Sequence, residues 1–474
     1  MRRLYIGLLS LALLSTAIFV ACGGGSQSTS TNPVTNPGTV YVTGSDAPLA
    51  SVVGFQVTLQ SITLSDGTNT VSALSQPTTV DFARLLGLRT LLGLNQVAPG
   101  TYTSATLTLS SPMISYIDTA ANPPTVSTIN GYFGAPSTTT TTVTVALNPN
   151  FVISENGLGG LHMHFNLSNS IVTDGTGQVT GNITPQIQLR ALQNGDDDKH
   201  VDELIGGVVS VNTSNNTFLL QARHGRQITV AVNTQTQWTG QNSNTWTLAA
   251  LQPNYTVEVS GVIQGDGSLL ADSVEVESID RFFLGGIVLQ VVPPTGPATN
   301  FTMFVRTEVP DLANISVPGT ATLNVNSNTN FDIRRFNLPV ESFLFNQSMM
   351  VVGQRVGVAG TINPDNSLNV RRVVLRRQGV HGLPVVGSVQ ITGSGDKVGT
   401  FQLQNNGIFG LILGAGAPAQ LKVMTSDVTV FKNLPNHLND INTTTNHLAM
   451  WGLMLKDGNG NPVFVAGYIE KLTN

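Results

Sequence analysis

The sequence predicts an all-β protein, in which an N-terminal β-sandwich is followed by tandem small β-barrels. Charged residues make up only 10% of the 474 residues, so the Glu, Lys and Arg that build long helices are scarce. Gly is abundant, at 48 residues, and Thr, Asn, Ser and Val recur throughout. This composition suits pleated strands and tight turns. Apolar and polar residues also alternate with a period of two along several segments, which is typical of half-buried strands.

Charge and cysteine content exclude several classes of protein. The formal net charge is −5, and removal of a leader whose only charges are Arg2 and Arg3 makes it −5 − 2 = −7. A nucleic-acid binder needs a basic face, and broad adhesion to anionic lipid needs a cationic one. We therefore expect no nucleic-acid partner. With a single cysteine, the chain cannot form an internal disulfide.

The first 21 residues have the pattern of a secretory signal. A positively charged start, Met1-Arg2-Arg3, precedes the uncharged, mostly apolar run from Leu4 to Val20. Phe19-Val20-Ala21-Cys22 resembles the bacterial lipobox, whose cysteine is lipidated and becomes the new N-terminus, although Phe19 stands where Leu is usual. Two alternatives remain open. One is a plain secreted form, and the other is an uncleaved signal anchor, because a run of about 17 residues is at the lower edge of a membrane span.

A flexible tether is predicted over residues 22–39, which are rich in Gly, Ser, Thr, Asn and Pro and lack apolar periodicity. Gly23, rather than Asp, follows the cysteine, which resembles outer-membrane sorting in Gram-negative lipoproteins. The prediction is thus a signal peptide over 1–21, a lipid anchor at Cys22 and a tether over 22–39. We expect the protein in the bacterial cell envelope, at the outer membrane, facing either the periplasm or the surface.

A β-sandwich domain is predicted over residues 40–193. Period-two alternation indicates strands at 40–42, 55–59, 62–64, 71–73 and 105–109, with turns at Ser45–Pro48 and Asp66-Gly67. The later predicted strands are Val143–Leu147, Leu161–Leu167 and Ile183–Leu189.

One stretch of this domain, Phe82–Leu94, is dense in Leu instead of alternating. It is interpreted either as one or two helical turns that cap the sandwich or as an exposed apolar loop for a partner or a membrane surface. The buried cap is favoured, because Leu-rich segments usually belong to a core.

Four motifs in this region are similar to a family of bacterial lipoprotein domains of unknown function, DUF4382: Thr43–Pro48, Thr79–Phe82, Pro99–Thr103 and Ile183–Leu189. The resemblance covers roughly residues 38–193. It implies an immunoglobulin-like or transthyretin-like sandwich, by analogy, and it carries no chemistry.

After a polar hinge at 194–200 the chain repeats itself. Copies open at Gly206-Gly207, Gly285-Gly286 and, more loosely, Gly387-Ser388. Each then has a Phe-led strand and a Val-rich strand that runs into a Thr/Asn turn. The predicted units are 204–279, 283–377 and a divergent third unit over 383–474, arranged as beads in a row.

The closing hairpin of each unit is the clearest repeat signal. Val257–Val276 matches Val356–Leu375, and Trp451–Glu470 is a looser third copy. Asp-Gly and Asp-Asn between alternating strands predict hairpin turns, because those turns need positive φ. About five short strands per unit indicate a small closed barrel that resembles an OB fold. The copies resemble a second bacterial family of unknown function, DUF5666, which occurs in tandem.

Signatures of catalysis are mostly absent: the sequence has no His-Glu-x-x-His, Walker loop or Gly-x-Ser-x-Gly elbow. His162 and His164 form the best metal-like pair, because residues i and i+2 share one face of a strand. No third ligand is evident nearby. The favoured interpretation places both histidines on a solvent face, with Leu161, Met163 and Phe165 in the core.

Other acidic or glycine-rich segments carry weaker hypotheses. Asp196–Asp198 with His200 could hold a hard cation, but a solvated linker is favoured because the ligand spacing of a calcium loop is missing. Asp46 is either an ion ligand or, preferably, a turn former. Gly393–Gly399 faintly resembles a nucleotide loop with the wrong spacing, and it leads into a strand.

Two further groups could contact a ligand. Trp238, Trp246, Trp451 and Tyr255 could form a stacking platform for sugars, although core positions are favoured. The one basic cluster is interpreted either as a solvated face or as a polar ligand contact, and its members are Arg371, Arg372, Arg376 and Arg377.

The sequence therefore favours a non-enzymatic, lipid-anchored envelope protein with a binding or spacer role. We expect no cofactor, membrane attachment through the N-terminal lipid, and a polysaccharide or an envelope protein as a possible partner. The alternative is a metal-assisted envelope enzyme that uses His162 and His164.

Overall fold

The computed structural model describes residues 36–472 apart from 48, 50, 86–87, 119–124, 176, 194–195, 197–198, 223–224, 241–245, 313–314, 316, 335–339, 341–342, 394, 405–419 and 445–446. The predicted leader, Cys22 and most of the tether therefore lie outside the described residues, as does Pro48 of the predicted turn. The described chain is almost entirely strand, so the predicted all-β class is confirmed. Within it, no helix is long and apolar enough to cross a bilayer.

The described residues of the N-terminal domain form thirteen strands, a 3-10 turn at Phe82–Arg84 and one short helix, α1 (Leu167–Ser170). The strands are β1 (Gly38–Ala47), β2 (Val52–Ser65), β3 (Thr70–Ser72), β4 (Thr78–Asp81), β5 (Thr90–Val97), β6 (Gly100–Asp118), β7 (Thr125–Asn130), β8 (Tyr132–Phe133), β9 (Thr140–Ile153), β10 (Leu158–Asn166), β11 (Ile171–Thr173), β12 (Val179–Ile183) and β13 (Ile187–Ala191).

Two sheets of this domain share one core and form the predicted sandwich. The first has the order β13-β10-β1-β5, with β1 parallel to β10 and antiparallel to β5. The second has the order β3-β2-β6-β7, and β4 and β9 attach to β2 and β6. A small third sheet, β11-β12-β8, lies beside them. Phe165 of the first sheet packs between Phe55 and Phe82, with ring centroids 5.3 and 5.0 Å away.

Some local predictions for the sandwich were wrong. The predicted turn at Ser45 and Asp46 is still strand, because β1 continues to Ala47. The predicted strand Ile183–Leu189 is two strands, since Pro185 has no N–H to donate to a ladder and the Gln186 N–H bonds the Ser170 hydroxyl instead. The Leu-rich stretch, by contrast, is buried as the favoured interpretation predicts, and its described residues form one 3-10 turn followed by β5.

The first barrel, barrel 1, contains the strands β14 (His200–Asn212), β15 (Thr217–Ala222), β16 (Gln227–Ala231), β17 (Gln237–Gly240), β18 (Thr256–Ile263) and β19 (Leu269–Ser278), and a 3-10 turn at Leu248–Ala250. Barrel 2 contains β20 (Phe282–Val292), β21 (Asn300–Val309), β22 (Gly319–Asn324), β23 (Asn330–Ile333), β24 (Arg355–Ile362) and β25 (Leu368–Leu375), and a 3-10 turn at Gln347–Met349. Barrel 3 contains β26 (Gln378–Pro384), β27 (Gln390–Ile391), β28 (Gly399–Gln404), β29 (Gln420–Thr425), β30 (Val430–Lys432), the helix α2 (His437–Ile441), β31 (Leu448–Lys456) and β32 (Pro462–Lys471).

All three barrels share one strand order. In barrel 1, β14 pairs with β15, β15 with β16, β16 in parallel with β19, β19 with β18, and β18 with β14, which closes a five-stranded barrel. If the five barrel strands are numbered in chain order and β17 is left out, this order is 1-2-3-5-4-1, which is the order of an OB fold. Barrel 3 closes in the same way, and barrel 2 has the same order without the closing ladder among its described residues. In each barrel a linking strand runs parallel to the fifth strand.

Equivalent side chains confirm that barrel 3 is a true copy. A threonine hydroxyl before the linking strand donates to a carbonyl of the fifth strand in each unit: Thr236 to Ala271 at 2.8 Å, Thr329 to Val370 at 3.2 Å, and Thr429 to Ala466 at 2.8 Å. The fourth strand carries a glycine at which a Cβ would collide with a fifth-strand carbonyl: Gly261 against Leu270, Gly360 against Asn369, and Gly452 against Val465.

The predicted opening of barrel 3 at Gly387 was wrong. Its first strand is β26, and Gly382 is the residue whose close approach to the second strand matches that of Gly206 in barrel 1. Gly387 lies in a turn before β27, a strand without counterpart in the other two units. The predicted opening glycine, Gly387, is therefore five positions beyond the equivalent glycine, Gly382.

The predicted arrangement as beads in a row was also wrong, because neighbouring units share buried side chains. Tyr41 and Leu91 of the sandwich belong to the apolar cluster of barrel 1. Phe304 of barrel 2 packs with Val53 and Ile117 of the sandwich. The core of barrel 2 continues into barrel 3 through Leu453 and its neighbours. Residues 36–474 accordingly form one compact unit.

Candidate functional site

The histidine pair predicted as a metal-like cluster lies on the face of β10 opposite the sandwich core. Leu161, Met163 and Phe165 are fully buried in the core, as predicted. His162, however, is only 5% exposed, so the prediction that both histidines face solvent was wrong for this residue. His164 is half-buried. The parallel partner strand β1 places Thr43 opposite His162 and Ser45 opposite His164.

Hydroxyl groups occupy both ring nitrogens of His162. Its Nδ1 lies 3.0 Å from Thr43 Oγ1 and its Nε2 lies 2.8 Å from Ser45 Oγ. Ser45 Oγ also lies 3.2 Å from His164 Nδ1, so one hydroxyl joins the two rings. No group of three or more His, Cys, Asp or Glu side chains in the described part of the chain is arranged to hold a metal ion. The pair forms a polar network that links β1 to β10.

The aromatic residues do not form one platform. Trp246 is buried and meets Tyr255 edge-on at 6.2 Å within barrel 1, where Trp238 also packs. Trp451 stands against Tyr468 at 5.1 Å in barrel 3. Trp451 also packs against the apolar core of barrel 2, so these residues belong to cores rather than to one platform, as the favoured interpretation predicts.

The basic cluster is neither a solvated face nor a single ligand contact. Arg371 is 55% exposed on its side chain and pairs with Asp280 at 3.1 Å. Arg372 and Arg376 are buried, and Arg377 is half-buried. Arg372 Nε donates to Asp332 at 2.8 Å and its Nη1 donates to the Glu277 carbonyl of barrel 1 at 3.3 Å. Arg376 and Arg377 also point across to barrel 1.

Barrels 1 and 2 meet at a buried ion-pair network. Arg376 donates to both Glu258 and Glu277, and Arg334 forms ion pairs with Glu258 and, at 2.6 Å, with Glu275. The guanidinium of Arg376 also lies over the ring of Phe283, 5.2 Å from its centroid. Four carboxylates of barrel 1 thus face arginines of barrel 2: Glu203, Glu258, Glu275 and Glu277.

Two carboxyl groups of this network titrate in opposite directions. Burial alone would raise the pKa of Glu203, but the charges of Arg355, Arg334 and Arg377 hold it well below its usual range. Burial, followed by the charge of Glu277, raises the pKa of Glu275 to about 8. Glu203 is therefore ionised at neutral pH, whereas Glu275 holds its proton more strongly than an ordinary carboxyl group even though Arg334 lies beside it.

The remaining acidic candidates serve as structural partners. Asp196 pairs with Arg190 at 2.9 Å, and Asp197 and Asp198 lie outside the described residues. His200 lies between Asp202 and Asp272, at 3.2 and 2.9 Å.

Asp46 is buried in β1 and accepts the Leu167 N–H at 3.4 Å, so it is not a turn former. In the predicted nucleotide-like loop, Asp396 lies 2.9 Å from His437, and Gly399 begins the strand β28. Ser394 of that loop is outside the described residues.

A cleft with both polar and apolar walls lies where the sandwich, barrel 1 and barrel 2 meet. Its larger part encloses about 820 Å³, some of it open to solvent, and a neighbouring part encloses about 520 Å³. Arg84 and Arg306 line both parts, and Arg226 lines the larger part. These residues could not be identified from the sequence, because each lies in a different unit and none belongs to a recognised motif. The only available signal was that arginine is rare in a chain with 10% charged residues.

Comparison with protein families matches two parts of the chain. Residues 37–185 match the model of DUF4382, a domain of unknown function, and residues 206–275 match that of DUF5666, also a domain of unknown function. The chain contains both of these domains. No curated protein matches the chain.

The cleft depends on the combination of these domains. Arg84 belongs to the DUF4382 domain and Arg226 to the DUF5666 barrel, whereas Arg306 belongs to the second barrel, beyond both matched segments. Neither family match alone therefore contains the full cleft. Its geometry exists only because the three units pack together.

Proposed function

We propose that this chain is a lipid-anchored protein of the bacterial cell envelope, of non-enzymatic type, whose β-domains form a rigid binding body. The lipobox-like residues that end at Cys22 support the anchor, and the Gly- and Ser-rich segment after it supports a tether. Gly23 favours the outer membrane. The net charge of −5 argues against a nucleic-acid partner.

The observation that carries the binding role is the junction of the three units. Buried ion pairs and apolar side chains join the sandwich to barrels 1 and 2, and a cleft of about 820 Å³ remains between them. A chain that served only as a flexible spacer would not need buried contacts between its units. Rigid units around a cleft with both polar and apolar walls suit the recognition of a ligand, either a saccharide or part of another envelope component.

The alternative, a metal-assisted enzyme, has less support. A metal site at His162 would require a free ring nitrogen, and both nitrogens lie within 3.0 Å of hydroxyl oxygens. Neither part of the junction cleft is lined by His162 or His164. Metal analysis of the purified full chain separates these functions, since an enzyme of this kind would carry a stoichiometric transition metal and the proposed binding protein would not.

The anchor is tested by Cys22→Ala in the native host, with Ser26→Ala in the tether as the matched control. We expect Cys22→Ala to leave the membrane fraction and to lose incorporation of labelled fatty acid, whereas Ser26→Ala keeps both. Retention of Cys22→Ala in the membrane without label would favour an uncleaved anchor helix and contradict lipidation.

The binding role is tested with the full chain, purified in mild detergent, on glycan arrays and in pull-downs from envelope extracts. A saturable ligand would support it. The absence of any saturable partner over the accessible concentration range would leave only the spacer role.

A further inference from the structure

The junction cleft carries an excess of positive charge. Its larger part is lined by three arginines, one from each surrounding unit, and by one carboxylate, Asp81. The chain as a whole carries a net charge of −5, so this local excess of positive charge is not a general property of the sequence. A positive cleft in an acidic protein concentrates anions.

Contacts across unit boundaries hold the three guanidinium groups in place. Arg84 Nη1 donates to Thr307 Oγ1 at 3.2 Å, Arg226 Nη1 donates to the carbonyl oxygen of Leu91 at 2.7 Å, and Arg306 donates to the carbonyl oxygen of Val53. Each of these contacts joins two different units. The arginine positions are therefore fixed before a ligand arrives, which lowers the entropic cost of binding.

In Arg226 and Arg306 these contacts leave donors and charge unused. Each guanidinium has five N–H donors. No described carboxylate forms an ion pair with Arg226 or Arg306, and the buried Nε of Arg306 has no hydrogen-bond partner. Burying such groups without a partner is unfavourable, so an incoming acceptor would relieve a cost that already exists in the folded protein.

The titration of the arginines agrees with this description. Burial, followed by the charge of Arg84, lowers the pKa of Arg226 to about 10. Burial also lowers the pKa of Arg306 to about 10. The charge of Asp81 alone would raise this pKa, but the charges of Arg355 and Arg84 lower it. Both side chains remain positively charged at neutral pH and would be stabilised by a nearby anion.

From this geometry we propose that the cleft binds a small hydroxylated molecule that carries an oxyanion, either a carboxylate or a phosphate. Arginine recognises both groups through paired N–H donors. The hydroxyl groups of the ligand would face the uncharged polar side chains of the wall, which are Gln56, Gln76, Thr78, Thr79, Thr90 and Thr307. Acidic sugars and sugar phosphates have this chemistry. The inference rests on the binding role proposed above and names its ligand class.

Titration calorimetry of the full chain in mild detergent tests this, with galacturonate and galactose 6-phosphate as charged probes and galactose as the neutral one. We expect saturable binding of at least one charged probe, weakening with added salt, and no binding of galactose. Preference for one charged probe identifies the oxyanion as carboxylate or phosphate.

Arg226→Gln and Arg306→Gln should each weaken binding by about tenfold or more, since a charge-assisted contact is lost. Arg371→Gln removes an exposed arginine of the same charge and should leave the affinity unchanged. Equal loss in Arg371→Gln would show general electrostatic attraction and contradict the site.

A second measurement avoids variants that fold poorly. Phenylglyoxal modifies accessible arginines, and mass spectrometry can locate the products in the unmutated chain. The bound probe should slow modification at Arg84, Arg226 and Arg306 but not at Arg371. Failure of both charged probes to bind or to protect would overturn the inference, while the membrane fractionation and pull-down results for the proposed function would be unaffected.

Discussion

The carboxylate of Glu203 in barrel 1 meets the guanidinium of Arg355 in barrel 2 through two contacts, Nη2 to Oε2 at 2.5 Å and Nη1 to Oε1 at 3.4 Å. Glu203 lies at a bulge of β14 and has a φ of 49°, a conformation that costs a non-glycine residue about 1–2 kcal/mol. The bulge turns this carboxylate towards barrel 2 and so helps to fix the angle between the two units.

Arg376→Met should destabilise the protein by about 3–5 kcal/mol, because it leaves Glu277 buried without its ion-pair partner and leaves Glu258 with Arg334 alone. Chemical denaturation measures the free energy of unfolding. The exposed Arg371→Met should change it by no more than about 0.5 kcal/mol. Adding Glu277→Gln to Arg376→Met should restore part of the loss, whereas simple additivity of the two variants would contradict coupling between these residues.

The sequence was sufficient to predict elements that depend on local patterns. The closing hairpins of barrels 1 and 2 were found because their Asp-Gly and Asp-Asn turns have strong backbone preferences, and the structure has β18–β19 and β24–β25 at those positions. The shared face of His162 and His164 followed from strand periodicity. What covers that face could not be predicted, since it depends on the partner strand β1, more than 100 residues away in the chain.

Contacts between distant residues explain the remaining errors. Glu258 and Arg376 are 118 residues apart in the sequence, and neither lies in a motif. The arginines near residue 376 were therefore identified as a cluster without their partners. The cleft arginines come from three separate units, so no window of sequence contains more than one of them.

The pH dependence of the free energy of unfolding should reveal the raised pKa of Glu275. Its pKa is about 8 in the folded protein and near 4.5 in the unfolded chain, so the folded state alone keeps the proton between these values. Stability should therefore be highest on the acidic side of this range and fall as the pH rises towards 8.

Glu275→Gln should abolish this fall, because the substituted side chain cannot ionise. The exposed Glu155→Gln makes the same change in charge and should retain the fall. Thermal unfolding between pH 5.5 and 8.5 measures both variants. If Glu275→Gln keeps the slope of the unmutated protein, the fall arises from another group.

The repeated threonine should matter equally in the first and third barrels. Thr429→Val removes a hydroxyl that donates to Ala466 O at 2.8 Å and accepts the Ser426 N–H at 2.9 Å. We expect a loss of about 1–3 kcal/mol in the free energy of unfolding, and a similar loss for Thr236→Val. The exposed Thr213→Val should have little effect. A negligible effect of Thr429→Val would argue against a shared structural role for the two threonines.

Leu91 should contribute to stability through barrel 1, although it belongs to the sandwich. Its side chain is 2% exposed and lies in the apolar cluster of barrel 1, whereas Phe82, Leu85 and Leu92 of the same stretch pack in the sandwich core. Leu91→Ala should cost about 2–5 kcal/mol because of the cavity it leaves at the interface. Leu158→Ala is the matched control, since Leu158 is 42% exposed. Proteolysis of the folded protein should also become faster between the two units in Leu91→Ala, and equal protease resistance in both variants would place Leu91 outside the interface.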